Sequence, residues 1–155
     1  MTAEACSDDP GRRARLVRAA LLWRGTPYRH QASCRGAGTD CLGLIRGVWR
    51  EVIGPVPFTP PPYSADWSVA DADETLLTGA RRWMRERPLD LAEAGDVVVM
   101  RMRERAAAKH MGLLTEVGGP EPRMIHAYSG RGVVLSSIGA SWRRRIVAAF
   151  SFPER

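Results

Sequence analysis

One cysteine of the chain lies where a helix is predicted to begin. Cys41 follows Thr39 and Asp40, both of which are preferred N-cap residues, and it precedes an amphipathic run. A thiol at a helix N-terminus feels the positive end of the macrodipole and free backbone N–H groups, which favour the thiolate. The pattern therefore predicts a nucleophile. The alternative is a small buried core thiol.

Two later histidines supply the groups that such a nucleophile needs. A catalytic thiol requires an imidazole to exchange its proton, and the imidazole requires a polar partner to fix its orientation. His110 and His126 lie in runs of β character, and strand alternation lets both project to the side of the sheet that holds Cys41. We predict these three residues as the catalytic set. His30, in the loop before the cysteine, is the competitor for the third position.

Two other uses of the cysteines are alternatives. A disulfide between Cys34 and Cys41 would abolish the nucleophile, but an odd total of three cysteines favours a reducing compartment. A zinc site built from these cysteines and the histidines lacks the C-x₂₋₄-C or H-x₃₋₅-H spacing of structural sites. We therefore predict no metal and no organic cofactor.

The helices and strands that would position these residues can be predicted from hydrophobic periodicity and from the glycine and proline residues that end such segments. Helices are predicted over Arg12–Trp23, closed by Gly25, over Cys41–Val52 and over Asp73–Glu86. The segments 28–39 and 55–62 have no period and are predicted as loops, the second rich in proline. Five short β-rich runs follow: Val97–Met100, His110–Val117, Met124–Tyr128, Val133–Ile138 and Arg145–Phe152.

This order of elements predicts an α+β fold with the cysteine helix packed on a five-stranded antiparallel sheet. A length of 155 residues with 45% hydrophobic content suits one domain, 1–155, with residues 1–11 as a flexible arm. That arm has acids and a proline where a signal peptide would carry basic and apolar stretches. We expect synthesis in the cytoplasm without a signal peptide and no membrane insertion, since no apolar run approaches 18 residues.

The formal charge of +6 favours anionic partners such as nucleic acid or the acidic polymers of a bacterial wall. The basic residues are scattered, apart from the run 143–145, and no helix-turn-helix, zinc-finger or RNA-binding signature accompanies them. We therefore predict no direct nucleic-acid recognition. A basic nucleic-acid-binding module is kept as an alternative.

Five short motifs together resemble a known family. They are Gly25-Thr26-Pro27-Tyr28, Asp40-Cys41-Leu42-Gly43, Gly95-Asp96-Val97, Lys109-His110-Met111-Gly112 and Ile125-His126-Ala127. Their order and spacing resemble the NlpC-type cell-wall peptidases, a papain-like cysteine peptidase superfamily, from about Leu16 to the C-terminus.

The resemblance implies a papain-like fold and a role for each matching residue. Cys41 would be the nucleophile, His110 the base and His126 the residue that orients it. Tyr28 would line the active site and Asp40 would help to hold the substrate. Each of the last two has a structural alternative, since aspartate is a preferred helix N-cap and tyrosine is a common core aromatic.

The resemblance also implies a substrate, the stem peptide of peptidoglycan, cut between γ-D-glutamate and the diamino acid. Two departures bear on that substrate: Leu42 stands where a serine is usual, and the segment 29–33 lacks the usual tryptophan and glycines. The form Thr39-Asp40-Cys41-Leu42-Gly43-Leu44 resembles a subset encoded beside tail genes of phages and gene transfer agents. It implies tail tip or hub partners and a particle that acts at the cell-wall layer of the target cell. An inactive structural tail protein, and an amidase or acyltransferase on the same fold, are alternatives.

Overall fold

The computed structural model describes residues 9–60 and 74–154. Within these ranges the chain forms four α-helices, a single 3-10 turn at Leu89–Leu91 and eight strands. In chain order they are α1 (Pro10–Leu21), β1 (Ser33–Cys34), β2 (Gly38–Thr39), α2 (Cys41–Val52), α3 (Thr75–Trp83), β3 (Arg85–Arg87), β4 (Val97–Met100), β5 (His110–Glu116), β6 (Arg123–Tyr128), β7 (Gly132–Ser137), α4 (Ala140–Arg145) and β8 (Ile146–Ser151).

Six strands form one antiparallel sheet in the order β3-β8-β4-β5-β6-β7, while β1 and β2 form a separate two-stranded ribbon. The α+β architecture and all five predicted strands are confirmed. The strand count of five is wrong, because Arg85–Arg87 pairs with β8 at the sheet edge instead of ending the third helix. Three charged residues give no apolar alternation, and charged side chains are typical of an edge strand.

The helices differ from their predicted bounds for local reasons. Helix α2 has the predicted bounds, with Asp40 as its N-cap. Helix α1 begins earlier, because Asp9 caps it and Pro10 occupies its first position, so residues 10 and 11 are helical. Gly25 does not close α1: its N–H donates to the carbonyl of Val133 at 3.0 Å. Asp73 and residues 1–8 lie outside the described residues.

Each face of the sheet carries its own apolar core. The larger core joins α1, α2 and α3 to one face, to which β5 contributes Met111 and Leu113 and β6 contributes Ile125. The smaller core covers the other face and includes Leu114 and Met124. Part of this second face is covered by α4, a six-residue helix that the sequence patterns did not predict.

A buried ion pair fastens α1 to the start of β4. The carboxylate of Asp96, which is fully buried, accepts from Arg13 Nη1 at 2.7 Å and from Ser151 Oγ at 2.8 Å. Gly95 has φ +96°, and a Cβ there would lie 3.3 Å from Arg13. The Gly-Asp motif at 95–96 therefore has a structural role in this chain.

The predicted proline-rich loop is described as far as residue 60 and has no regular structure there. Phe58 from this loop packs on Trp49 and Trp83, with ring centroids 6.1 and 5.7 Å away. No helix among the described residues is long and apolar enough to cross a membrane.

Candidate active site

Cys41 is the first residue of α2, and its side chain is 7% exposed. Its sulfur donates a hydrogen bond to the carbonyl of Lys109 at 3.8 Å, and the backbone N–H of Met111 is directed toward it. Pairing of β5 with β6 begins only at Leu113 and Ile125. The thiol therefore meets β5 where that strand has no β6 partner, against the residues on either side of His110.

The two strand histidines form a hydrogen-bonded pair. His110 Nε2 lies 2.7 Å from His126 Nδ1, and His126 Nε2 lies 2.9 Å from Ser136 Oγ on β7. His126 is thus the histidine that pairs with His110, whereas His30 lies in the turn before β1. Between them on the same face is Gly112, where a Cβ would come within 3.3 Å of His126 Cβ, so the glycine leaves room for the second imidazole.

The expectation that both histidines project to the helix side of the sheet is wrong. They alternate with Met111 and Ile125, which belong to the helix-side core, so their side chains project from the opposite face. The thiol thus approaches the start of β5 from the helix side, and the His110 side chain leaves the same stretch of β5 from the other side.

Two aromatic rings enclose the histidine pair. Trp142 on α4 stacks on His110 with ring centroids 6.0 Å apart, and its ring centroid is 5.1 Å from that of His126. Tyr128 lies 5.7 Å from the His126 ring centroid. Alternation along β6 could have identified Tyr128, which shares a face with His126. Trp142 and Ser136 gave no sequence signal.

Burial keeps all three candidate catalytic groups uncharged in the free protein. It raises the pKa of Cys41 to about 12 together with the nearby charge of Asp40, although the backbone N–H groups at the sulfur act to lower it. Burial, and then the charge of His126, lower the pKa of His110 to about 3. Burial lowers the pKa of His126 to about 4. The predicted thiolate is therefore wrong for the free protein, because desolvation outweighs the helix N-terminus.

Tyr28 and Asp40 both lie beside the thiol. Tyr28 is 37% exposed, and burial together with the charges of Cys41 and Asp40 raises its pKa to about 12. Asp40 is 2% exposed, and its carboxylate accepts from Gly43 N at 2.7 Å and from Gln31 N at 2.8 Å. Asp40 is thus an N-cap that also holds the preceding loop. Contact of either residue with substrate stays a prediction.

The structure bears on the two alternative uses of the cysteines, a disulfide and a zinc site. Cys34 and Cys41 are both free, one exposed and the other buried, so no disulfide joins them. Within residues 9–60 and 74–154, no group of three or more His, Cys, Asp or Glu side chains could hold a metal ion.

A cavity of about 630 Å³ opens beside the histidine pair, between α4 and β7. His126, Tyr128, Ser136 and Trp142 line it on the side of the site, and Arg24 and Arg131 contribute positive charge. His126 and Ser136 therefore lie at the wall of this cavity.

A helix-borne cysteine packed on an antiparallel sheet, with a histidine pair on adjacent strands, defines a papain-like α+β protein. A model of the NlpC/P60 family matches residues 25–151, and the chain belongs to this family.

Solved structures share the fold at low identity. An NLP/P60 family protein from Staphylococcus aureus, described as similar to lipoprotein, has 17% identity and TM-score 0.65, and the match covers 100% of this chain and 46% of that one. The NlpC/p60 domain of the peptidoglycan hydrolase SagA has 22% identity and TM-score 0.59, with 90% and 98% covered. Ly7917 has 15% identity and TM-score 0.55, with 92% and 62% covered.

The chain spans less than half the length of the Staphylococcus aureus protein and of a Bacillus cereus NlpC/P60 family protein that it also matches. No curated protein matches the chain.

Proposed function

We propose that this chain is a cysteine peptidase that hydrolyses the stem peptides of peptidoglycan. The observation that carries the proposal is the meeting of Cys41 with the start of β5, where His110 is paired to His126 at 2.7 Å. Family membership supports it, as does the likeness to a domain whose parent protein is named a peptidoglycan hydrolase.

The proposed mechanism depends on which ring nitrogen of His110 faces the thiol. Because Nε2 of His110 is engaged by His126, Nδ1 is the nitrogen left to serve the thiol. Binding of a substrate carbonyl breaks the hydrogen bond from Cys41 to Lys109, and the thiol proton passes to Nδ1. The thiolate then attacks the amide carbon, and the N–H of Cys41 at the helix start stabilises the oxyanion.

His110 then passes the thiol proton on to the leaving group. His110 delivers it to the departing amine as the C–N bond breaks, which leaves a thioester on Cys41. A water molecule, deprotonated by His110, then attacks the thioester carbon. The C–S bond breaks, the acid is released, and His110 returns the proton to the Cys41 thiolate. The burial of Cys41 and His110 strengthens each of these charge interactions relative to bulk water.

We propose cleavage between γ-D-glutamate and the diamino acid, on the family resemblance of the motifs at Tyr28 and Asp40. The chemistry of the three catalytic candidates serves an amidase or an acyltransferase equally well. These alternatives differ in their products, since only a transferase gives a new acyl ester or amide in place of a free acid.

Mass spectrometry of muropeptides tests the proposal. Purified sacculi incubated with the protein should release fragments cut within the stem peptide, and a Cys41→Ala variant should release none. A Cys34→Ala variant is the matched control and should act like the wild type, because Cys34 is exposed in the ribbon β1-β2. Identical product profiles for the wild type and Cys41→Ala would refute a cysteine peptidase and favour a structural tail protein.

We further propose that the protein belongs to a phage-like tail, where its tail tip or hub partners deliver it to the wall of a target cell. The form Thr-Asp-Cys-Leu-Gly-Leu at 39–44 supports this proposal. A basic net charge of +6 suits the acidic polymers that such a particle meets.

A further inference from the structure

The hydrogen-bond chain of the site does not end at the histidine pair. Ser136 Oγ on β7 lies 2.9 Å from His126 Nε2, so three side chains from adjacent strands form a continuous chain from His110 to Ser136. His126 is fully buried and Ser136 is partly buried. A buried imidazole that loses a partner is left with a costly unsatisfied ring nitrogen, either an N–H or a lone pair.

The distances allow two directions of donation, and they have opposite chemical consequences. In the first, His110 donates from Nε2 to His126, and His126 donates from Nε2 to the serine oxygen. Nδ1 of His110 is then unprotonated and can accept the thiol proton. In the second, the serine hydroxyl donates to His126, His126 donates from Nδ1 to His110, and Nδ1 of His110 carries a proton. That form cannot act as a base toward Cys41.

Once His110 has taken the thiol proton, only the first direction is available. The imidazolium must donate from Nε2, so His126 must accept at Nδ1 and carry its own proton on Nε2. That proton needs an acceptor inside the protein, and the hydroxyl oxygen of Ser136 is placed to be one.

We propose that Ser136 is a positioning residue that holds His126 in the Nε2–H tautomer and thereby keeps His110 in its basic form. This inference rests on the proposed function for its catalytic consequence, but the tautomer itself is a property of the resting protein. Removing the hydroxyl takes away the acceptor for the buried Nε2–H of His126, which destabilises the first direction and shifts the balance toward the second relative to the wild type.

Nitrogen-15 NMR of histidine side chains at pH 7 measures the tautomers directly. In the wild type we expect protonated Nε2 on both His110 and His126. In Ser136→Ala we expect both to shift toward protonated Nδ1, and in Ser136→Thr, which keeps the hydroxyl, we expect the wild-type signals. Protonated Nδ1 on His126 of the wild type would overturn the proposal without any variant. Unchanged tautomers in Ser136→Ala would overturn it as well, since water from the adjoining cavity would then replace the serine.

Kinetics give a second readout if the stem-peptide substrate is cleaved. Ser136→Ala should lower kcat roughly tenfold with little change in KM, the effect of about one hydrogen bond, and Ser136→Thr should restore it. Ser137→Ala is the matched control, because Ser137 is the next residue of β7 and is exposed. A rise in KM with kcat unchanged would assign Ser136 to substrate binding and overturn the positioning role. Absence of any peptidase activity would refute the proposed function and leave the NMR result to decide on the tautomer.

Discussion

At the scale of single residues, the site combines a nucleophile and a base that are both neutral at rest. The helix N-terminus was expected to stabilise a thiolate, yet burial of Cys41 raises its pKa to about 12. Burial of His110 lowers its pKa to about 3. Proton transfer between them is therefore unfavourable in the free protein. It becomes favourable only when a bound substrate takes up the negative charge, which ties the reactivity of the thiol to the presence of a substrate.

This neutral resting state reverses the order in which the cysteines should react with iodoacetamide. The sequence patterns favoured Cys41, but Cys34 is exposed and Cys41 is buried as a thiol. We expect alkylation of Cys34 to precede that of Cys41 at pH 7, as measured by peptide mass spectrometry over time. In urea the two rates should converge. Faster labelling of Cys41 in the folded protein would mean that the thiolate is already formed without substrate.

The two histidines should differ in the substitutions that they tolerate. The base must exchange a proton, whereas the orienting residue need only accept a hydrogen bond from His110 Nε2. We expect His126→Gln to retain measurable activity and His110→Gln to lose roughly 10²–10⁴-fold in kcat or more. Muropeptide release under single-turnover conditions checks the ranking. The reverse ranking would exchange their roles.

At the scale of elements, the sequence predicted the parts that have strong local signals. Helix α2 has its predicted bounds because Asp40 caps its start and its large apolar residues, Leu44, Ile45, Val48 and Val52, recur at helical spacing. The edge strand Arg85–Arg87 and the six-residue helix Ala140–Arg145 were missed. Their residues are mostly charged and show no apolar periodicity. The edge strand forms because β8 offers backbone hydrogen bonds, and the helix forms because Trp142 packs on the smaller core. Neither partner can be predicted from a local sequence pattern.

The candidate site could be predicted only in part for the same reason. Cys41 and the two histidines were found from residue type and order along the chain. The link from His126 to Ser136 depends on the β6-β7 register, and the stacking of Trp142 depends on the path of α4. The desolvation that reverses the expected pKa of Cys41 depends on the assembled core. These are tertiary properties.

Two glycines in helices test how closely α2 packs against the loop that precedes it. A Cβ on Gly43 would lie 1.9 Å from the carbonyl oxygen of Ala32, whereas a Cβ on Gly79 in α3 meets nothing within 4 Å. We expect Gly43→Ala to destabilise the fold by roughly 1–3 kcal/mol and to impair catalysis, because the loop or the cysteine helix must shift. Gly79→Ala should instead stabilise by up to about 1 kcal/mol. Urea denaturation measures both, and equal effects would contradict the close approach at Gly43.

At the scale of the whole molecule, the buried histidine pair should make folding stability depend on pH. Both pKa values are depressed in the folded state, to about 3 for His110 and about 4 for His126, from an ordinary value of 6.5. The unfolded chain therefore binds more protons below pH 6.5, so stability is full above that pH and is lost as the pH falls. Each histidine should remove roughly 1.5 kcal/mol between pH 6.5 and 5.

Chemical denaturation at a series of pH values measures this loss. A double variant, His110→Gln with His126→Gln, should lose much less stability over the same interval. The control is Ser137→Ala, which changes an exposed, non-titrating residue of β7 and should retain the wild-type slope. Parallel slopes for the wild type and the double variant would contradict the burial of an uncharged pair.

The last prediction follows from the proposal that the protein belongs to a phage-like tail. If tail proteins deliver the enzyme to the wall, purified phage-like particles should contain this chain, with the proline-rich segment 55–62 or an arginine-rich surface among its contacts. Since Cys41 is only 7% exposed at the start of α2, replacing it with alanine removes the nucleophile and changes little of the exposed surface. Particles carrying Cys41→Ala should therefore assemble normally yet deliver their nucleic acid poorly through an intact wall. Normal delivery by those particles, or a chain recovered only free of them, would refute the tail role while the muropeptide assay still decides whether the protein is a peptidase.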